Sequence, residues 1–352
     1  MISYEKITSF YFKHNLLNVS LILEVLFVLL TVISIRSVNT NYRDLLLSSL
    51  IFIYVAYSFI LSIFTMGDVI YDFLMIYKAF GYLGIFLIFK RNELINIQTL
   101  YWLFLFLCFA TLLKYLSGVF FFSVPRPGLL YENNSELLLL IVLFFYLCSC
   151  HQKVQNNKVW FLLLLTIITV LSGSRSASLI VFATYLFSIR LSFGSFLFGL
   201  CIFFSLILFQ YFSRGFGLEQ IDRFRFLLDF WDIYSAGSFY TMFFGNEPIT
   251  PLPNEVCVKY SFYESLLSKN NTCFSVVFHS LIMRSLFDHG IFWSFIIIFG
   301  YYRFISREIS RNFAIYTLII AFLNGLSVSS YNSIFFNITI LLILISRKNR
   351  YL

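Results

Sequence analysis

The chain has 352 residues, 60% of them hydrophobic, with 47 Phe and 23 Tyr against only 42 Asp, Glu, Lys and Arg together. A soluble domain carries roughly a quarter charged residues, so at 12% there is too little polar surface to cover a globule in water, which excludes a soluble enzyme, a nucleic-acid binder and a disordered chain. The net charge of +8 is therefore read by position, because Lys and Arg on so apolar a chain mark the cytoplasmic ends of membrane helices.

Crossing about 30 Å of hydrocarbon takes roughly 20 apolar residues, and only helices or closed barrels satisfy their own backbone there. The apolar runs show no strand-like alternation. The sequence thus predicts an all-α polytopic integral membrane protein of about 11 transmembrane helices, near 17-35, 45-64, 69-89, 97-114, 135-150, 159-173, 177-190, 194-212, 278-302, 313-328 and 331-346. Connectors on one side carry Arg36, Arg43, Lys90, Arg91, Lys153, Lys158, Arg190, Arg303, Arg307, Arg311, Arg347, Lys348 and Arg350, whereas the short loops opposite hold Lys114, Arg126 and Arg175. The positive-inside rule places the first set, with the C-terminus, in the cytoplasm. Counting back leaves Lys6 and Lys13 outside. Residues 1-15 lack a cleavage site, so the first span is expected to be retained.

One connector differs from the rest. Residues 213-277 hold 12 of the 42 charged side chains and fall on the outer side. From Gly217 to Tyr234, Ile221, Phe224, Leu228 and Trp231 recur at helical spacing, which predicts an amphipathic helix over 217-234. The stretch Gly245 to Pro253 contains three of the five prolines and reads as an irregular turn. Loops this long are uncommon unless functional or disordered, and this one is too aromatic for disorder, so the expectation is one membrane domain over 1-352 with a folded cap at 213-277. Within it, Cys257 and Cys273 either form a disulfide, as an oxidising compartment allows, or remain two thiols. Cys108, Cys148, Cys150 and Cys201 read as packing residues. No His or Cys cluster has metal-ligand spacing, and no phosphate-cradling Gly-rich loop occurs; no metal and no cofactor are expected.

Charges at membrane depth are costly and mark function by default. Glu24 and Lys78 either face a polar interior or snorkel. Asp68 and Asp72 read mainly as solvated helix-end carboxylates. Arg284 has the spacing to pair with Asp288, four residues on. Three outer segments concentrate unusual chemistry: Arg126 to Ser135, with Gly128 and Glu132; Ser172 to Ser178, where Arg175 sits among small hydroxyl residues; and Phe278 to Phe292, where the cap returns to the membrane at His279. Small residues around Arg175 admit a bulky anion, a guanidinium can grip phosphate oxygens bidentately, and a helix starting near Ser176 would add N–H donors. The alternative is a headgroup anchor. His279 titrates near neutrality and is a candidate base, or else a hydrogen-bonded structural His; His289 beside Gly290 reads as structural.

These segments, Arg126 with Gly128 and Glu132, then Ser172 to Ser178, then the long loop, His279 and Gly290, together resemble the bacterial family of O-antigen polymerases and ligases, polytopic glycosyltransferases acting on polyprenyl-pyrophosphate-linked sugars. The likeness covers residues 97-352. It implies an inner-membrane enzyme with a periplasmic active face, joining undecaprenyl-pyrophosphate-linked oligosaccharide repeat units without a metal. Arg175 and His279 would be catalytic, the first neutralising the departing pyrophosphate and the second taking the acceptor's proton. Arg126, Glu132, Arg214, Arg223, Arg225 and Arg284 would bind substrate. Membrane lipid, a chain-length regulator and a flippase would be partners, and nucleic acid would not. Trp293 stands where the ligase pattern tends to a small residue or Tyr, which favours the polymerase. The alternatives are the ligase, transferring to lipid A core, and a lipid-linked oligosaccharide flippase, which would carry charges on both sides of the midplane.

Overall fold

Continuous apolar runs leave the backbone no partner but itself, and helices dominate the result. The computed structural model describes residues 19–39, 41–66, 70–121, 133–188, 197, 199–200, 203–204, 222–260 and 272–347. In chain order the first helices are α1 (Val19–Ser34), α2 (Tyr42–Met66), α3 (Ile70–Ile88), α4 (Ile97–Phe120), α5 (Asn133–Cys150), the short α6 (Gln152–Asn156), α7 (Lys158–Ser172) and α8 (Arg175–Ser188). The cap contributes α9 (Asp222–Ser235), α10 (Phe239–Phe244) and α11 (Asn254–Lys259). The chain closes with α12 (Leu281–Glu308), α13 (Arg311–Gly325) and α14 (Ile334–Leu344).

Helices stand at ten of the eleven expected spans, and most of 194-212 lies outside the described residues. By length and composition, three of them are long and apolar enough to cross a membrane: Tyr42–Phe64, Ile97–Phe120 and Leu281–Glu308. Ser20–Ser34, Asn134–Cys150, Lys158–Ser172 and Ile334–Leu344 are shorter apolar helices. α4 shows why these faces suit lipid. Tyr101, Phe104, Cys108, Thr111 and Tyr115 are buried while Trp102, Phe106, Phe109 and Leu113 are exposed, so both faces carry largely apolar residues at spacings of three and four, a pattern water does not tolerate on a surface helix. The innermost helix, α14, is buried along almost its whole length and packs on α1 and α5.

The two ends of the bundle differ. At one, β1 (Ile35–Val38) pairs antiparallel with β2 (Phe89–Arg91), and β3 (Ile95–Asn96) pairs parallel with β4 (Ser346–Arg347). There Asp44, fully buried, takes Arg303 Nε at 2.8 Å and also pairs with Arg307. His151 Nε2 meets Gln98 Oε1 at 3.0 Å, and burial followed by the Lys153 charge holds its pKa below the ordinary imidazole value. Lys158 Nζ donates to Ser188 O. This end gathers most of the connectors expected in the cytoplasm and is called the arginine end below.

The opposite end carries the cap, which has its own apolar core of Phe226, Phe230, Leu252, Tyr260, Val277, Phe278 and Phe287. Cys257 and Cys273 are disulfide-bonded, which resolves the choice left open by the sequence. A helix is observed within the expected 217-234 as α9, with residues 217-221 outside the described set, but the expected apolar stripe is not its buried face: Phe224, Leu228 and Trp231 are exposed. Phe226 and Phe230 form its buried face and Lys259 Nζ reaches Asp229 at 2.7 Å. Span eleven begins later than expected: Tyr331 and Asn332 belong to a 3-10 turn, Ser330–Asn332, and Ser333 caps α14 by accepting from Phe335 N.

Candidate functional site

The segment Ser172 to Ser178 folds as a tight helix-to-helix turn. Gly173 ends α7 in the left-handed conformation (φ 61), which glycine adopts without penalty. Ser174 then starts α8: its hydroxyl accepts from Ala177 N at 3.2 Å, as an N-cap does, and bonds to Asn134 Oδ1 at the start of α5. Arg175 is therefore the first residue of α8, half-buried at the cap end, one position before the helix entry expected from sequence.

His279 is the left-handed linker (φ 54) between the 3-10 turn Ser275–Phe278 and α12. Its ring lies 5.9 Å from that of Phe226 on α9. Ser280 Oγ donates to Gly325 O at 3.0 Å, tying the start of α12 to the end of α13. One turn further in, Arg284 is buried and donates to Ser329 Oγ at 3.2 Å and to Met75 O at 3.1 Å. Asp288, expected as its ion-pair partner, accepts from Ser275 Oγ at 2.5 Å and lines the same void as Arg284, close enough for the two charges to interact without forming a direct salt bridge.

Two helices open their hydrogen-bond ladders around this point. In α3, Asn332 inserts its side chain between the backbone groups of Met75 and Ala79: its Nδ2 donates to Met75 O at 2.7 Å and its Oδ1 accepts from Ala79 N at 2.9 Å. In α12, Gly290 is non-helical (φ 66, ψ −178), and the Phe287 carbonyl accepts from Asn246 N and Nδ2 at 3.0 and 2.9 Å. Between the breaks lies a small void lined by Arg284, Ser285, Asp288, His289, Tyr331 and Asn332, with room for about one water molecule. His289 bonds to the Tyr54 hydroxyl through Nδ1 at 2.9 Å and is flanked edge-on by Tyr77 and Phe80 at 4.8 Å, which fits its structural reading.

Of the residues expected to bind substrate, Arg126, Glu132 and Arg214 lie outside the described residues, as does Asp68. Arg223 lies in the first turn of α9, and Arg225 is exposed on that helix. The structure thus brings Arg175, Arg225, His279 and Arg284 to the cap end, with His279 and α9 in contact. Glu24 and Lys78 pair with each other at 3.5 Å, and Tyr82 OH donates to Glu24, so both read as interior packing. Sequence reasoning missed Asn332, Ser329 and Asn246; the available signal was the polar run Ser329 to Ser333, which it had divided between a loop and the start of a span. No group of three or more metal-ligating side chains occurs among the described residues. Comparison with models of known protein families gives no match, and comparison with curated proteins gives none either.

Proposed function

We propose that the protein is an O-antigen polymerase of the inner membrane, with about eleven spans and the cap in the periplasm, joining undecaprenyl-pyrophosphate-linked repeat units. The observation that carries the reading is Arg284: a cation buried at the cap end, beside a small void of mixed polar and apolar lining and at the meeting of two helices whose ladders are open. Arg284 is held by Ser329 Oγ and Met75 O, with Asp288 across the same void, and the departing pyrophosphate would be a further anion drawn to this cationic end. In the reaction an acceptor hydroxyl attacks the anomeric carbon of the donor glycan and its proton passes to His279. The bond to the pyrophosphate oxygen breaks, and Arg175, Arg284 and the arginines of α9 and the 126 loop neutralise the anion. Pyrophosphate is an activated leaving group, so positioning and charge suffice for most of the barrier. The Cys257–Cys273 bond supports a cap in an oxidising compartment.

Deleting the gene in its own background and resolving surface polysaccharide by gel tests the reading. A core carrying a single repeat unit is expected, whereas bare core would point to a ligase or flippase and overturn it. Arg175→Ala and Arg284→Ala, each at normal protein level, should reproduce the deletion; full-length glycan in both would remove the site.

A further inference from the structure

The cap's second helix, α10, packs against the span-length helix α12. Between Asp232 and Glu247 the chain carries no charged side chain, and α10 exposes Phe239 (82%), Tyr240 (68%), Phe243 (36%) and Phe244 (41%). It packs along α12, with Phe243 and Phe244 6.0 and 5.7 Å from Phe292 between ring centroids. Depth can be counted along α12. Arg303 is its first charged residue at the arginine end, and about 20 residues of helix span the hydrocarbon, so the outer boundary falls near Met283. At about 1.5 Å per residue, Gly290 and Phe292 then lie roughly 10 to 14 Å inside it. On α12 itself Ile291, Phe295 and Phe299 are exposed apolar residues, as a lipid-facing side of that helix would carry.

Irregular backbone at membrane depth is tolerated only where protein satisfies it. Several of the segment's polar groups do find protein partners. Ser238 caps α10 by accepting from Thr241 N, Gly245 N donates to Thr241 O, and Asn246 bonds to the freed Phe287 carbonyl. Gly245 and Gly290 make the approach possible, since a Cβ on Gly290 would sit 2.3 Å from Gly245 N. We propose that α10 is a re-entrant segment seated in the hydrocarbon layer, locked into the break of α12, with the acyl chains of the surrounding bilayer as the partner of its aromatic face.

The test uses the full chain with Cys108, Cys148, Cys150 and Cys201 replaced by Ala and the disulfide kept, in unsealed membrane fragments. Single Tyr240→Cys is compared with Glu255→Cys, an exposed cap position. A charged maleimide should label Tyr240→Cys at least about tenfold more slowly, because the reagent must enter hydrocarbon, and a nitroxide there should meet oxygen more readily than a polar nickel chelate. If Tyr240→Cys accumulates poorly, Phe239→Cys gives the same reading. Equal labelling of both positions, or preferential contact with the chelate, would overturn the proposal and leave α10 in the aqueous cap.

Discussion

Gly290 combines φ 66 with ψ −178, a region open almost solely to glycine. The added methyl of alanine would also meet Phe243 O at 2.5 Å. Gly290→Ala is therefore expected to destabilise the protein by at least about 3 kcal/mol, seen as a lower thermal midpoint in detergent. Gly81→Ala is the control. It lies within the regular helix α3, a Cβ there meets nothing within 4 Å, and in a helix interior the change is neutral or favourable by up to about 1 kcal/mol. Equal effects of the two would refute the strain account. Asp44 poses a different residue-level question, since its buried carboxylate serves both Arg303 and Arg307. Removing the shared anion leaves Arg303 without that partner and Arg307 with Glu308, both partly exposed, and Asp44→Ala is expected to cost about 1.5 to 3 kcal/mol. Arg303→Ala should cost clearly less because Arg307 remains, and the reverse order in thermal midpoints would show that the pairs act independently.

At the scale of elements, the disulfide is the covalent tie of the cap. Cys273 O accepts from Leu252 N at 2.8 Å, and the disulfide fixes α11 to the strand-like segment before the 3-10 turn. Replacing both cysteines by serine should destabilise the cap by about 2 to 4 kcal/mol without disturbing the bundle. Limited proteolysis checks this: faster cleavage within 236–277 with unchanged helical circular dichroism is expected, and an unchanged cleavage rate would mean the apolar core of the cap suffices alone. The same contrast governs what could be read from sequence. The long helices α2, α4 and α12 were legible because runs of about 20 apolar residues match hydrocarbon thickness; α9 was legible as a helix but not by face, since Phe224, Leu228 and Trp231 are exposed and Phe226 and Phe230 are buried. The inserted Asn332, the Asn246 cap on Phe287 and the Gly245–Gly290 contact were not legible, because each joins segments far apart in sequence, Asn332 to Met75 across 257 positions. No local pattern encodes such a meeting. Glu24 and Lys78 illustrate the limit: each was weighed singly, although their pairing is what settles both.

At the scale of the whole molecule, Ser188 lies at the arginine end, bonded to Lys158, and α9 lies at the cap end, against the turn before His279. The expected eighth span, 194-212, falls between them, and orientation and span parity can be tested together. Three exposed positions serve: Lys153 before α7, Glu255 in the cap and Arg311 after α12. Introduced singly as cysteines in a background lacking the free thiols, they are probed in intact cells with a membrane-impermeant maleimide. The positive-inside rule predicts labelling of Glu255→Cys without permeabilisation, and of Lys153→Cys and Arg311→Cys only after it. Because α12 alone separates Glu255 from Arg311, a shared response from those two would mean that α12 does not cross the bilayer. A shared response from Lys153→Cys and Glu255→Cys, with Arg311→Cys opposite, would remove one crossing between residues 158 and 222. Inversion of all three would keep the bundle and place the cap, with Arg175 and Arg284, in the cytoplasm, where a reducing environment would oppose the Cys257–Cys273 bond and the proposed reaction would lose its compartment.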